Sequence, residues 1–140
     1  MNKFYIFLLI ILMFSFSCDT TSPEELDKNA ILDIFDSIQS NFNFDDIEGI
    51  MQHYHQFFNH IGNDYNWEMF IWEQRIADYD ELLFENIDIT LNGDFALVSF
   101  QFNLDDTITN EPSDENGDIS YFYYDYGDWK ICGDNFLILP

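Results

Sequence analysis

The spacing of apolar residues changes near Glu85, and this change constrains the fold more than any other feature of the sequence. Before it, apolar residues recur three or four positions apart, as between residues 31 and 42, which is the period of an amphipathic helix. After it, apolar and polar residues alternate, as in "NIDITL" at 86–91, which is the period of a strand with one buried face. Helices followed by a run of strands predict an α+β domain.

Three helices are predicted in the first part. The first starts at "SPEEL", where Ser22 is a helix cap, Pro23 suits the first turn and Glu25 completes a capping box. The second covers "NFDDIEGIMQHY" at 43–54. The third covers "NWEMFIWEQRIADYD" at 66–80, and its wide apolar arc predicts that most of its surface is covered.

Four long antiparallel strands are predicted in the second part. The dipeptide "NG" before Asp94 marks a hairpin between the first strand and "FALVSFQFNL" at 95–104. Residues 105–116 form a polar loop in this interpretation. The last two strands are "DISYFYYDY" at 118–126 and "WKICGDNFLIL" at 129–139.

The amino terminus has the layout of a secretory signal peptide over residues 1–17, with one lysine before an apolar run from Phe4 to Phe16. This run is shorter than the ~20 residues that span a bilayer. The sequence "SFS" before Cys18 resembles the lipobox of bacterial lipoproteins, although Ser15 and Phe16 depart from its usual pattern. We expect Cys18 to be lipidated and residues 18–23 to form a tether. Ordinary cleavage and secretion is the alternative.

The domain would then cover residues 24–140, and the protein would be anchored in the bacterial cell envelope. The membrane would be a partner through the acyl chains on Cys18, which insert into the bilayer. The mature chain keeps three Lys and Arg residues against 27 Asp and Glu residues, a formal charge of −24. Nucleic acids and anionic headgroups need clustered basic residues, so nucleic-acid binding is excluded. Aromatic residues make up 19 % of the chain, which predicts a folded domain rather than disorder.

Several ordered motifs resemble the nuclear transport factor 2-like superfamily, including its SnoaL-like branch. They are "YHQFF" at 54–58, "WEQR" at 72–75, "NIDITLNGDFALVSF" at 86–100 and "GDWKICG" at 127–133. Gln56 departs from the proline that is common there. The resemblance implies a cone, in which a curved antiparallel sheet wraps around the first helix. Members include isomerases, dehydratases and cyclases as well as binding domains, so the resemblance implies a pocket and no particular reaction.

The three histidines do not have the spacing of a metal site. His53 and His55 are two residues apart and His60 lies five further on, which matches neither a helical pair nor a zinc motif. We predict no metal and no cofactor. For catalysis, His60 is the candidate base and Asp64 its orienting partner, with Tyr54 or Tyr65 as the hydroxyl donor. The preferred interpretation, over catalysis, is that His55 orders the turn into the first strand.

Arg75 is the only arginine of the chain. We predict a structural ion pair, for which Asp78 is available, with an anion-binding role in the pocket as the alternative. Asp114, Asn116 and Asp118 begin like a calcium loop but lack its later positions, so a hairpin tip is preferred. The predicted ligand-binding residues are His55, Tyr54, Arg75, Trp72, Tyr121 and Tyr123.

The predicted function is a cell-envelope lipoprotein whose domain binds a small apolar ligand or a protein partner without catalysis, in a pocket or on the sheet face. The alternative is a lyase or isomerase that acts on a small carbonyl compound through a His/Asp pair in the cone. Self-association through the sheet face, giving a homodimer, is compatible with both.

Overall fold

The computed structural model describes residues 22–113 and 117–136. The signal peptide, Cys18 and the loop positions Asp114 and Asn116 lie outside these ranges. The helices are α1 (Pro23–Phe42), α2 (Ile47–Met51) and α3 (Tyr65–Asp78), with a short 3-10 helix at Gly117–Ile119. The strands are β1 (Asn59–His60), β2 (Asn63–Asp64), β3 (Leu82–Asn92), β4 (Phe95–Leu104), β5 (Thr107–Glu111), β6 (Tyr121–Asp125) and β7 (Asp128–Ile131).

Helix α1 begins where the sequence predicts. The side-chain oxygen of Ser22 accepts a hydrogen bond from the backbone N–H of Glu25 at 3.2 Å, and Pro23 occupies the first turn. The stripe with three- and four-residue spacing is buried and faces the sheet, which confirms the period of the pattern. Its members are Ile31, Ile34, Phe35, Ile38 and Phe42.

The long strand β4 organises the main sheet. One of its edges pairs with β3 along nearly the whole strand. The other edge is shared by two strands, because β6 pairs with Phe95–Leu97 and β5 pairs with Phe100–Leu104. Strand β7 continues the sheet beyond β6, and a separate two-stranded sheet is formed by β1 and β2.

Strand β5 corrects the sequence analysis, which predicted a polar loop over residues 105–116 and only four strands. Leu104 pairs directly with Thr107, so Asp105 and Asp106 make a two-residue hairpin turn. Both turn residues have positive φ values, 47° and 68°, as this turn type requires. Aspartate tolerates that conformation, and the strand was missed because its turn carries no glycine or asparagine.

Two other predicted elements are shorter than expected. Helix α2 starts only at Ile47, because the Asp46 carboxylate caps it by accepting the N–H of Gly49 at 2.9 Å. The last strand ends at Ile131 rather than at 139. Gly133 turns the chain with a φ of 77°, and a Cβ atom at this position would overlap the carbonyl of Asn59. Residues 137–139 of that predicted strand lie outside the described ranges.

The prediction that α3 is covered over a wide arc is wrong. Its buried residues are Glu68, Trp72 and Arg75. Trp67 and Phe70, on other sides of the helix, are 50 % and 45 % exposed. The side that faces the core therefore carries two ionisable groups.

Inside the sheet, aromatic rings from α1 and the strands fill the core. The ring of Phe35 lies 4.9 Å from that of Phe84 and 5.0 Å from that of Phe100 in edge-to-face contacts, which suit aromatic packing. The inward residues of β4 are buried at alternate positions from Ala96 to Leu104. Three helices packed in a curved antiparallel sheet confirm the predicted α+β fold. No helix in the two described ranges is long and apolar enough to span a bilayer.

Candidate functional site

Arg75 lies at the centre of a buried charge cluster inside the sheet. Its Nη1 donates to Oδ2 of Asp118 at 2.8 Å and lies 3.5 Å from Oε1 of Glu68. The guanidinium also stacks on the ring of Trp72, with its central carbon 4.6 Å from the ring centroid. The structural ion pair that the sequence predicted is present, with Asp118 and Glu68 in place of Asp78.

The two carboxyl groups beside Arg75 have opposite protonation preferences. Burial, followed by the charge of Asp118 and a hydrogen bond with it, raises the pKa of Glu68 well above its usual range. Burial also acts to raise the pKa of Asp118, but Arg75 and the hydrogen bond with Glu68 outweigh it and the pKa is lowered. Glu68 therefore keeps its proton and donates it to Asp118. Oδ1 of Asp118 is buried and has no hydrogen-bond partner among the described residues.

Tyr54 and Trp72 extend this cluster into a hydrogen-bonded chain. Nε1 of Trp72 donates to the Tyr54 hydroxyl at 2.8 Å, and that hydroxyl donates to Oε1 of Glu68 at 3.2 Å. Burial raises the pKa of Tyr54 well above its usual range, so the hydroxyl stays protonated. Both residues were predicted to bind ligand, and the structure buries both in the interior.

His60 and Asp64, the predicted catalytic pair, have different partners in the structure. Asp64 caps α3, where its carboxylate accepts the N–H of Trp67 at 3.0 Å. His60 Nδ1 lies 3.0 Å from the carboxylate of Asp134 and 3.4 Å from its backbone N–H. Nε2 of His60 is buried without a hydrogen-bond partner. Asp134 therefore takes the orienting role in place of Asp64, and catalysis by His60 stays a prediction.

His55 orders the turn after α2, as the preferred interpretation of this residue expected. Its Nδ1 accepts the backbone N–H of Phe57 at 3.0 Å, which requires Nδ1 to be unprotonated. Nε2 then carries the proton and donates to Oδ2 of Asp125 at 3.2 Å. The backbone N–H of His55 also donates to the carbonyl of Ile131 at 2.8 Å, which joins this turn to β7.

A cleft of about 380 Å³ lies between α1 and the β6–β7 hairpin, whereas the open space beside Arg75 is small. A cavity of about 210 Å³ is lined there by Arg75, Tyr79, Phe102 and residues of β5. Trp72 and Phe122 are fully buried in the interior. Small-molecule sites usually measure about 300–1,000 Å³, so this remnant of the predicted hollow suits at most a small ion or solvent. The predicted anion-binding role of Arg75 stays a prediction.

A larger apolar groove lies on the outer face of the sheet. Phe95 and Leu97 on β4 pair with Tyr123 and Tyr121 on β6, so their side chains share this face. Phe95 and Leu97 are each 42 % exposed. The groove has a volume of about 340 Å³ and is also lined by Phe136. Two of the predicted ligand-binding residues, Tyr121 and Tyr123, thus lie on the face that carries the groove.

Cys132 also lines this groove. Burial raises the pKa of its thiol to about 12, so the thiol is protonated and weakly nucleophilic at neutral pH. Within residues 22–113 and 117–136, no group of three or more His, Cys, Asp or Glu side chains is arranged to hold a metal ion.

Solved structures resemble this arrangement, whereas no protein-family model and no curated protein matches the sequence. A nuclear transport factor 2-like (NTF2-like) protein from Cytophaga hutchinsonii is 12 % identical, with a TM-score of 0.54 over 76 % of this chain and 93 % of that one. A protein of the same family from Streptomyces avermitilis, described provisionally as a dehydratase, is 12 % identical, with a TM-score of 0.53 over 78 % and 94 %. The chain has the nuclear transport factor 2-like fold.

Bd1075 from Bdellovibrio bacteriovorus gives a similar result, with 17 % identity, a TM-score of 0.56 and 85 % of this chain covered. This chain spans only 44 % of Bd1075. At such low identities the likeness shows the nuclear transport factor 2-like fold alone, which the sequence motifs had predicted.

Sequence reasoning missed three acids that the structure places at His60 and Arg75. Glu68 precedes Arg75 by seven residues on α3, two helical turns, so the spacing alone indicates a shared side. Asp118 and Asp134 come from distant segments, and no local pattern brings them to Arg75 or His60.

The protonation of Glu68 predicts how stability depends on pH. A carboxyl group whose folded pKa is raised stabilises the fold fully below its unfolded pKa of about 4.3, and this contribution is lost as the pH rises toward the folded pKa. Glu68→Gln keeps a donor for Asp118 and cannot ionise. We therefore expect its free energy of unfolding to fall less than that of the wild type between pH 5 and pH 8, measured by urea denaturation.

Glu73→Gln is the matched control, because Glu73 is exposed on the same helix. Its stability profile should run parallel to that of the wild type. A Glu68→Gln profile that also runs parallel to the wild type would show that Glu68 is ionised in the folded protein.

Proposed function

We propose that this protein is a cell-envelope lipoprotein whose domain binds a small, uncharged apolar ligand in the groove on the outer face of the sheet, without catalysis. The observation that carries the proposal is the contrast between the two faces of the sheet. On the inner face, the ionisable groups around Arg75 bind one another and leave little space beside them. The outer face holds exposed apolar side chains around a groove of about 340 Å³.

The composition of the groove supports an apolar ligand. Phe95, Leu97 and Phe136 supply carbon surface, and Thr90 and Asn92 supply a few polar atoms at its border. This mixture of mainly apolar lining and few polar groups is typical of small-molecule sites. The formal charge of the full chain, −23, repels anionic ligands, which favours a neutral one.

A protein partner on the same face is the other form of the proposal. A second copy of this chain would bring the same large negative charge, and the repulsion opposes association. The homodimer therefore needs a contact that outweighs this repulsion and stays a prediction. A partner with basic residues around an apolar centre would fit the charge better.

The lipid anchor is proposed from the sequence at Cys18. The short tether after Cys18 limits the distance between the domain and the membrane. Residues 19–22 separate Cys18 from the first residue of α1, and four extended residues span at most about 14 Å. A domain held so close to a bilayer would meet ligands that partition into the membrane or leave it. Secretion without the lipid is the alternative.

Leu97→Ser tests the groove. Removing this side chain deletes apolar contact area, for which a loss of about 1 kcal/mol is expected. The affinity for N-phenyl-1-naphthylamine, an uncharged fluorescent probe, should fall about fivefold in a fluorescence titration.

Phe44→Ser is the control, because Phe44 is an apolar side chain that is 79 % exposed and lies outside the lining of the groove. It should leave probe affinity unchanged. Equal effects of the two substitutions, or no effect of Leu97→Ser, would place the binding surface elsewhere.

Cys18→Ser tests the anchor. A serine has no thiol to accept an acyl chain, so the variant should appear in the soluble fraction when expressed with its own signal sequence. The wild type should sediment with membranes and incorporate labelled palmitate. Equal membrane association of both forms would contradict lipidation at Cys18.

A further inference from the structure

A second cavity, of about 290 Å³, lies beside the groove at the β6–β7 hairpin. Aromatic rings from three separate segments surround it: Phe57 after α2, Tyr123 and Tyr126 on the hairpin, and Phe136 near the carboxyl end. His55 and Asp125 also line this cavity. We refer to these six residues as the aromatic cage.

Within the aromatic cage, the rings of His55, Phe57, Tyr123 and Phe136 contact one another, whereas the ring of Tyr126 is exposed. The Phe136 ring lies 4.5 Å from that of His55, at an interplanar angle of 76°, and 5.3 Å from that of Tyr123. The rings of His55 and Phe57 are 5.6 Å apart. These contacts between rings restrict side-chain rotation, so the rings that line the cavity are ordered before a ligand binds.

Asp125 gives the cage one negative charge. Its side chain is 29 % exposed and accepts Nε2–H of His55. Because His55 Nδ1 accepts the N–H of Phe57, this imidazole is neutral and does not cancel the charge of the carboxylate. Lys130 lines a neighbouring opening of about 250 Å³ that shares Asp125 and Tyr126 with the cage, and its ammonium donates to the carbonyl of Gln52 at 3.0 Å.

Tyr126 occupies a turn position that does not suit a tyrosine. It has a φ of 49° and precedes Gly127, with a φ of 103°, in the two-residue turn between the paired residues Asp125 and Asp128. Asparagine and glycine favour such positions, whereas a bulky residue there is an outlier. The ring is fully exposed, so it contributes no core packing that would offset the strain. Such local strain often marks a functional position.

We propose that the aromatic cage binds a methylated ammonium cation, with the cation against the ring faces and the Asp125 carboxylate as its counter-charge. Ring faces attract cations through their quadrupole, and quaternary ammonium groups are the cations that such cages recognise. A primary ammonium would lose water hydrogen bonds that ring faces do not replace. This site is separate from the proposed apolar groove, although Phe136 borders both.

The experiment uses the mature chain from residue 18 with Cys18→Ser, so that it is soluble. Choline and its uncharged isostere 3,3-dimethylbutan-1-ol are titrated separately, and the backbone amide shifts of Tyr126 and Gly127 are followed by NMR. Choline should saturate these shifts by about 10 mM. The isostere, which lacks the charge, should bind at least about fivefold more weakly.

Two variants locate the site. Tyr126→Asn creates an Asn-Gly turn that suits the observed φ values, so thermal stability should be kept or raised while choline affinity falls about two- to fivefold. Asp125→Asn keeps an acceptor for His55 and removes the charge, and it should weaken choline binding about fivefold or more. Asp88→Asn, an exposed charge on β3 away from the cage, should change affinity less than about twofold.

Binding to lipid vesicles distinguishes the two sources of this cation, free choline and a lipid headgroup. Binding of free choline shows a site for a soluble ligand. Binding to phosphatidylcholine vesicles and not to phosphatidylethanolamine vesicles, with loss in Tyr126→Asn, shows a lipid headgroup site. The proposal is overturned if neither source binds, if the uncharged isostere binds as tightly as choline, or if Tyr126→Asn leaves affinity unchanged. Leu97→Ser should leave choline affinity unchanged, so failure of the groove and failure of the cage are distinguishable.

Discussion

The buried ion pair between Arg75 and Asp118 is the interaction on which the interior of this domain depends. A single cation on α3 meets a carboxylate from the 3-10 helix before β6, at 2.8 Å, so the pair ties the third helix to the far side of the sheet. One buried charge without the other would carry a large desolvation penalty. Glu68 adds no second negative charge, because its raised pKa keeps it protonated. One cation and one anion therefore remain, and the Tyr54 hydroxyl donates a hydrogen bond to the neutral Glu68.

This arrangement shapes where ligands are able to bind. Trp72 and the charge cluster occupy the interior around Arg75, and about 210 Å³ remains open beside it. Apolar and aromatic side chains also surround openings on the outer face and at the β6–β7 hairpin. The groove near Leu97 and the aromatic cage around Asp125 are neighbours with different chemistry, one uncharged and one with a carboxylate. Both favour neutral or cationic ligands, in keeping with the acidity of the whole chain.

The fold was predictable because its signals are local. Helix α1 has its cap and buried stripe within its own sequence, and β4 shows strict alternation from Ala96 to Leu104. Strand β5 was not predictable, because its turn uses two aspartates at positive φ. The site was predictable only in part. Arg75 required a carboxylate partner, but Asp118 lies 43 residues away and was interpreted as the tip of a loop. Asp134 near His60 is likewise a product of tertiary packing alone.

A double-mutant cycle on Arg75 and Asp118 tests the central claim most directly. The free energy of unfolding is measured for Arg75→Met, Asp118→Leu and the double variant at pH 6. Each single substitution leaves a buried charge unpaired and should cost about 3–5 kcal/mol. The double variant removes both charges while Glu68 stays protonated, so it should cost less than either single change. Additive losses, with the double variant as unstable as the two single costs combined, would contradict a buried pair at the centre of the fold.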